Sequence, residues 1–172
     1  MTSRMPEDKK TNTPAVVHPL DIIRADHLRM RDICSTLETL TSLDDVAASD
    51  LDLMRQFLAV GLPRHMADEE NSLVPLMRKR CEQEDGIDRA IDSLLAGHAQ
   101  TRIDLVDCLH QLDGTRRIDP VRLSRFAVNK RKHLVFEDAV LLPIAQARLL
   151  PEDLAHMLAE MQQRRVSHDR AE

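Results

Sequence analysis

The chain has 172 residues, long enough for one buried core and short for two. Its formal net charge of −5 offers no basic field to a phosphate backbone, and four Gly with few aromatics favour helix over sheet. The longest uncharged apolar run, Ala139–Ala145, falls far short of the roughly 20 residues that cross a bilayer, so a membrane span is not expected.

Residues 1–17 carry charges, polar residues and two prolines without an apolar signal region or a helical stripe, and are expected to form a disordered tail. Three cysteines, Cys34, Cys81 and Cys108, make no CxxC pair and leave an odd thiol, which suits a reducing cytoplasm. The short basic runs Arg78–Arg80 and Lys130–Lys132 read as solvated helix faces.

Pro19-Leu20-Asp21 reads as a helix start, followed by Ile22, Ile23, His27, Met30, Cys34, Leu37 and Leu40 at helical spacing. Thr41–Asp45 ends this helix. A second stretch runs from about Ser49 to Cys81, with a kink expected at Gly61-Leu62-Pro63, because Pro63 has no N–H to give to Ala59. The third starts near Ile87 and stops at Asp113-Gly114. Asp119-Pro120 opens a fourth that Pro143 disturbs, and a shorter fifth runs from Pro151 to about Arg165. The expected fold is all-α: an up-down-up-down antiparallel four-helix bundle over residues 18–166 with a short fifth helix, then a tail at 167–172. Leu154, Met157, Leu158 and Met161 form a stripe on that fifth helix, either a cap or a contact for a second copy or another protein.

The most specific feature is an internal repeat. His65, Glu69, Glu70, Leu73 and Pro75 recur in register as His133, Glu137, Asp138, Leu141 and Pro143. In each copy His and Glu stand four residues apart, so imidazole and carboxylate project from one helix face. Each copy is preceded by a helix with a histidine in its apolar stripe: His27, 38 residues before His65, and His98, 35 before His133. Four antiparallel helices would bring all six groups to one level, as two halves related by a pseudo-twofold axis. A buried His and Glu left unpaired would cost several kcal/mol, a cost that a metal removes. Imidazole and carboxylate without thiolate suit iron, manganese or zinc. Glu70 and Asp138 lie about 140° around the helix from each histidine and are set outside the ligand sphere. Phe57, Phe126 and Cys34 read as core residues. His18, His110, His156 and His168 read as surface or capping residues.

The pattern H…HxxxE…H…HxxxE at His27, His65, Glu69, His98, His133 and Glu137 resembles the hemerythrin and HHE cation-binding family over roughly Pro19 to Arg165. The resemblance implies two iron ions, His27 and His65 on one, His98 and His133 on the other, with Glu69, Glu137 and an oxo or hydroxo group as bridges. It also implies about one open position per iron for a small ligand such as dioxygen, nitric oxide or peroxide. Oxygen-carrying hemerythrins have a further histidine four residues after the third-helix ligand, where this chain has Arg102, and end in HxxxxD where it has HxxxE. The expected role is therefore binding or sensing of a small ligand or of iron and redox state. A peroxide- or oxygen-consuming enzyme, or an iron donor for repair of iron centres, is the alternative.

Overall fold

The computed structural model describes residues 17–114 and 117–169, so the tail expected at 1–17 lies outside the described residues except for Val17. Five helices account for the fold: α1 (Pro19–Thr39), α2 (48–80), α3 (Ile87–Leu112), α4 (120–148) and α5 (Pro151–Asp169). No strand occurs among the described residues.

Capping sets the helix starts. The His18 Nδ1 accepts the Leu20 N–H at 3.3 Å and Pro19 stands at the first turn, while Asp119 caps α4 by accepting from Val121 and Arg122 ahead of Pro120. Gly86, at φ 63°, turns the chain into α3 in a left-handed conformation that a side chain disfavours. Short connections make α1 to α4 antiparallel neighbours, and α1 packs against α4, α4 against α3, and α3 against α2.

At the site of the kink expected before His65, helix α2 runs on and widens, through a five-residue π turn at Phe57–Gly61 in which the Leu62 N–H donates to the Phe57 carbonyl. Widening makes room for the Pro63 ring and re-pairs carbonyls that a regular helix would leave open. The same device recurs at Glu69–Leu73 before Pro75 and at Glu137–Leu141 before Pro143, where the Val74 and Leu142 N–H groups donate to the Glu69 and Glu137 carbonyls. Each glutamate of the repeat thus begins a π turn.

The interior divides into two apolar clusters. One gathers Met30, Cys34, Leu37, Leu58, Leu62, Met66, Leu105 and Phe126; the other gathers Leu20, Ile23, Leu73, Met77, Ile91, Leu94 and Leu141. Between them in sequence, on every one of the four bundle helices, stand the buried polar residues of the repeat. Met157 and Met161 of α5 are fully buried in the second cluster and Leu154 packs against it, so these three of the stripe cap the bundle, while Leu158 is half-buried. That helix continues past Arg165 to Asp169.

Candidate metal centre

His27 from α1, His65 and Glu69 from α2, His98 from α3, and His133 and Glu137 from α4 are all buried in the bundle, none more than 9% exposed. The structure brings the six together. The His27 Nε2 lies 3.3 Å from Glu137 Oε2 and 3.8 Å from Glu69 Oε1; His65 Nε2 is 3.5 Å from Glu69 Oε2. The His98 Nε2 is 3.1 Å from Glu69 Oε2 and 3.5 Å from Glu137 Oε1, and His133 Nε2 is 2.6 Å from Glu137 Oε1. Each carboxylate therefore faces imidazoles of both halves. Donor atoms of His27, His65, Glu69 and Glu137 lie within 4.8 Å of one another, as do those of His98, His133 and Glu137, two clusters that share Glu137.

These contacts are close without being aligned as hydrogen bonds. All four Nε2 atoms and all four carboxylate oxygens are buried with no hydrogen-bond partner. Leaving so many polar atoms unsatisfied in one place is costly in any folded chain, and a cation among them is what the donor set fits. Sulfur is absent from the cluster, so the donors are imidazole nitrogen and carboxylate oxygen, suited to a first-row divalent ion.

The far sides of the rings are held by carboxylates. Asp138 Oδ1 lies 2.8 Å from His27 Nδ1, and Glu70 Oε1 lies 2.7 Å from His98 Nδ1. With Nδ1 carrying the proton and donating, each ring presents its Nε2 lone pair to the centre. Those carboxylates are anchored in turn: Arg102 donates to both Glu70 oxygens at 2.8 Å, and Arg31 donates to Asp138. Arg31 and Arg102 each stand four residues after the histidine of their helix, so HxxxR on α1 and α3 is part of the repeat. Arg102, which departs from the oxygen-carrier pattern, thus serves to orient His98.

Electrostatics poise the centre for a cation. Burial and the neighbouring Glu137 push Glu69 up, but His65, His27 and His98 outweigh them and hold it down at about 2. Burial raises Glu137 too, yet His133 and His98 hold it well below the ordinary carboxylate range. Burial alone would lower His98; the facing Glu137 and Glu69 carboxylates overcome it and raise it to about 9. His65 goes the other way, driven below its ordinary value by burial.

The two halves are not chemically identical. The residue before His27 is Asp26, whose carboxylate lies 3.8 Å from His65 Nδ1. Its counterpart before His98 is Gly97, where an added Cβ would come within 2.1 Å of His133 Nδ1. A glycine inside a helix costs roughly 1 kcal/mol relative to alanine, and that isolated breaker is the signal in the sequence that close packing is needed there. A second asymmetry corrects the reading of Lys130–Lys132 as a solvated face: Lys132 is exposed, but Lys130 is only 2% exposed and points inward.

Other residues fall where core or surface roles put them. Phe57 and Phe126 are buried in the first apolar cluster, as is Cys34, whose thiol burial pushes up to about 11. All three cysteines are free. His110 is exposed, His156 pairs with Glu160 on the surface at 3.3 Å, and the side chain of His168 lies outside the described residues. No described helix is long and apolar enough to cross a membrane.

An all-α bundle whose interior layer is a histidine and carboxylate cage defines a helical metal-binding protein. The sequence model of the hemerythrin HHE cation binding domain matches residues 18–145, and the chain belongs to that family. Comparison with curated protein sequences returns no match.

Proposed function

We propose that the chain is a non-haem di-iron protein of the cytoplasm that binds or senses a small ligand, dioxygen, nitric oxide or peroxide, or reports iron and redox state. The observation that carries this reading is the set of eight buried donor atoms without partners, shared between two clusters with a carboxylate in common. His27 and His65 would hold one ion, His98 and His133 the other, with Glu69 and Glu137 between them. Iron there supplies reversible one-electron chemistry and positions for a diatomic or peroxide ligand.

The chain's own residues supply the rest. Asp138 and Glu70 fix the ring orientations, and the two apolar clusters keep bulk water away. A route for a signal also exists. Asp68, directly before Glu69, is buried and paired with Arg164 at 2.6 Å and Arg165 at 2.9 Å on α5, and Arg164 also donates to Ser72. A change in how Glu69 is held therefore pulls on the fifth helix.

The test is iron loading of the full chain with metal analysis and an optical spectrum, which is clear near 280 nm because Tyr and Trp are both absent. An iron pair with near-ultraviolet oxo-bridge bands, lost in His65→Ala and His133→Ala, supports the reading. A chain that stays metal-free or takes only zinc, with helix content unchanged in both variants, defeats it. Amide exchange in α5 that changes when nitric oxide or peroxide is added distinguishes a sensor from an inert staple.

A further inference from the structure

Lys130 is the one buried ammonium among the described residues, and its Nζ has no hydrogen-bond partner. It stands three residues before His133, one turn along the same inward stripe of α4 as Phe126, His133 and Glu137. Its charge acts on His65, His98 and Glu137, residues from three different helices of the cage, and on Cys34 in the apolar cluster beyond. On the α4 stripe Lys130 stands between His133 of the cage and Phe126 and Ala127 of that cluster. At the matching position of the other half, three residues before His65, stands Leu62, fully buried. The pseudo-twofold that relates the six donors is broken here by a single charge.

A buried cation with no partner costs several kcal/mol and persists only where something compensates it. In the metal-free chain the excess charge of Glu69 and Glu137 does so at a distance. Metal binding removes that compensation. Two divalent ions against two carboxylates leave a net double positive charge, of which a bridging hydroxide cancels one unit. Glu70 and Asp138 cannot help, since Arg102 and Arg31 already neutralise them. The loaded cage would then carry surplus positive charge one helical turn from an unpartnered ammonium.

We propose that Lys130 and the metal pair together form a subsite for a small monoanion, one end at an open metal position and the other accepting a hydrogen bond from Nζ. The ligand class is a compact anion with an exposed lone pair at each end, such as hydroperoxide, with azide as its stable analogue. Neutral dioxygen would gain little from Lys130, whereas its reduced, protonated forms would be held. This inference rests on the di-iron reading.

The experiment uses the full chain loaded with iron and oxidised, with iron content measured in every sample before azide is titrated against its charge-transfer band. In Lys130→Met, iron content stays at the wild-type level and azide binds at least 10-fold more weakly. Lys130→Arg keeps affinity within a few-fold, and Leu62→Met at the mirror position changes nothing. A Lys130→Met protein that holds both irons and binds azide like wild type overturns the inference while leaving the di-iron reading intact. A wild-type chain without an iron pair overturns both. A second measurement needs no azide: in the iron-loaded chain, where that compensation is gone, removing the charge with Lys130→Met raises the unfolding temperature by a few degrees, and the absence of a rise overturns the proposal. If Lys130→Met does not fold, Lys130→Gln carries the same comparisons.

Discussion

Gly97→Ala puts the close packing of α3 on α4 to the test. The new Cβ would stand 2.1 Å from His133 Nδ1 and 2.4 Å from its Cε1, so the ring has to retreat by roughly 1.3 Å to regain the 3.4 Å of ordinary contact. Overpacking costs about 1–3 kcal/mol, of which the better helix propensity of alanine returns about 1 kcal/mol, so the metal-free fold should lose no more than about 2 kcal/mol. Metal–ligand distances tolerate only about 0.2 Å of error, so on the proposed assignment the same displacement takes His133 out of reach of the ion it would hold. Expected on iron loading is a drop to about half the wild-type metal content, or a second ion held at least 10-fold more weakly, with helix content by circular dichroism unchanged. Gly61→Ala is the control: its Cβ would meet the Phe57 ring at 2.6 Å rather than a donor of the cage, so it strains the bundle without pressing on a ligand. A Gly97→Ala protein that binds both ions like wild type refutes the assignment of His133.

Three further outcomes follow from the site. Glu70→Gln and Asp138→Asn, which weaken the hold on His98 and His27, should each lower metal affinity roughly 10- to 100-fold in a competition assay with a chelator, leaving thermal unfolding of the metal-free chain nearly unchanged; equal affinities would mean the rings are oriented by packing alone. His98, raised to about 9, carries a proton in the metal-free protein at pH 7.5 and must lose it to bind a metal, so loading should release protons and apparent affinity should climb with pH until about 9. His65, held below its ordinary value, adds nothing to that release; calorimetry in buffers of different ionisation enthalpy measures it, and a buffer-independent heat would contradict the assignment. Finally, burial pushes Cys34 up to about 11 and Cys108 up to about 12, so at pH 8 a thiol reagent should label half-buried Cys81 first and the other two only on unfolding. Rapid labelling of Cys34 in the folded chain would contradict its place in the core.

Much of this centre was legible in the sequence because its signals repeat. One HxxxE on an amphipathic helix is weak, but two in register, each preceded by a histidine in an apolar stripe, fix both the helix faces and the level at which they meet. The all-α bundle followed from composition and caps. The orienting layer was legible too, since Arg31 and Arg102 repeat at four residues after His27 and His98, but a charged residue at helical spacing reads as a solvated face until its carboxylate partner on another helix is known. Lys130 was misread for the same reason: within Lys130–Lys132 nothing marks which of the three points inward, and only its place on the stripe of Phe126 and His133 does. The π turns went unforeseen because a proline inside a helix announces a disturbance without saying how the chain will take it up. Gly97 carried a signal of its own, and its meaning depended on where His133 would stand.

The pairing of His27 with Asp138, 111 residues apart, governs when the cage can exist at all. A chain emerging from the ribosome presents His27, His65, Glu69 and His98 long before α4 is made, and in that interval both carboxylate support for His27 and two of the six donors are missing. Residues 120–148 deliver Glu137, His133 and Asp138 in a single helix, so the last segment of the bundle converts a partial, exchangeable cluster into a closed one in one step. Metal retention at this centre would thereby be tied to completion of synthesis, and a chain cut short before α4 would leave any metal it has met free to depart.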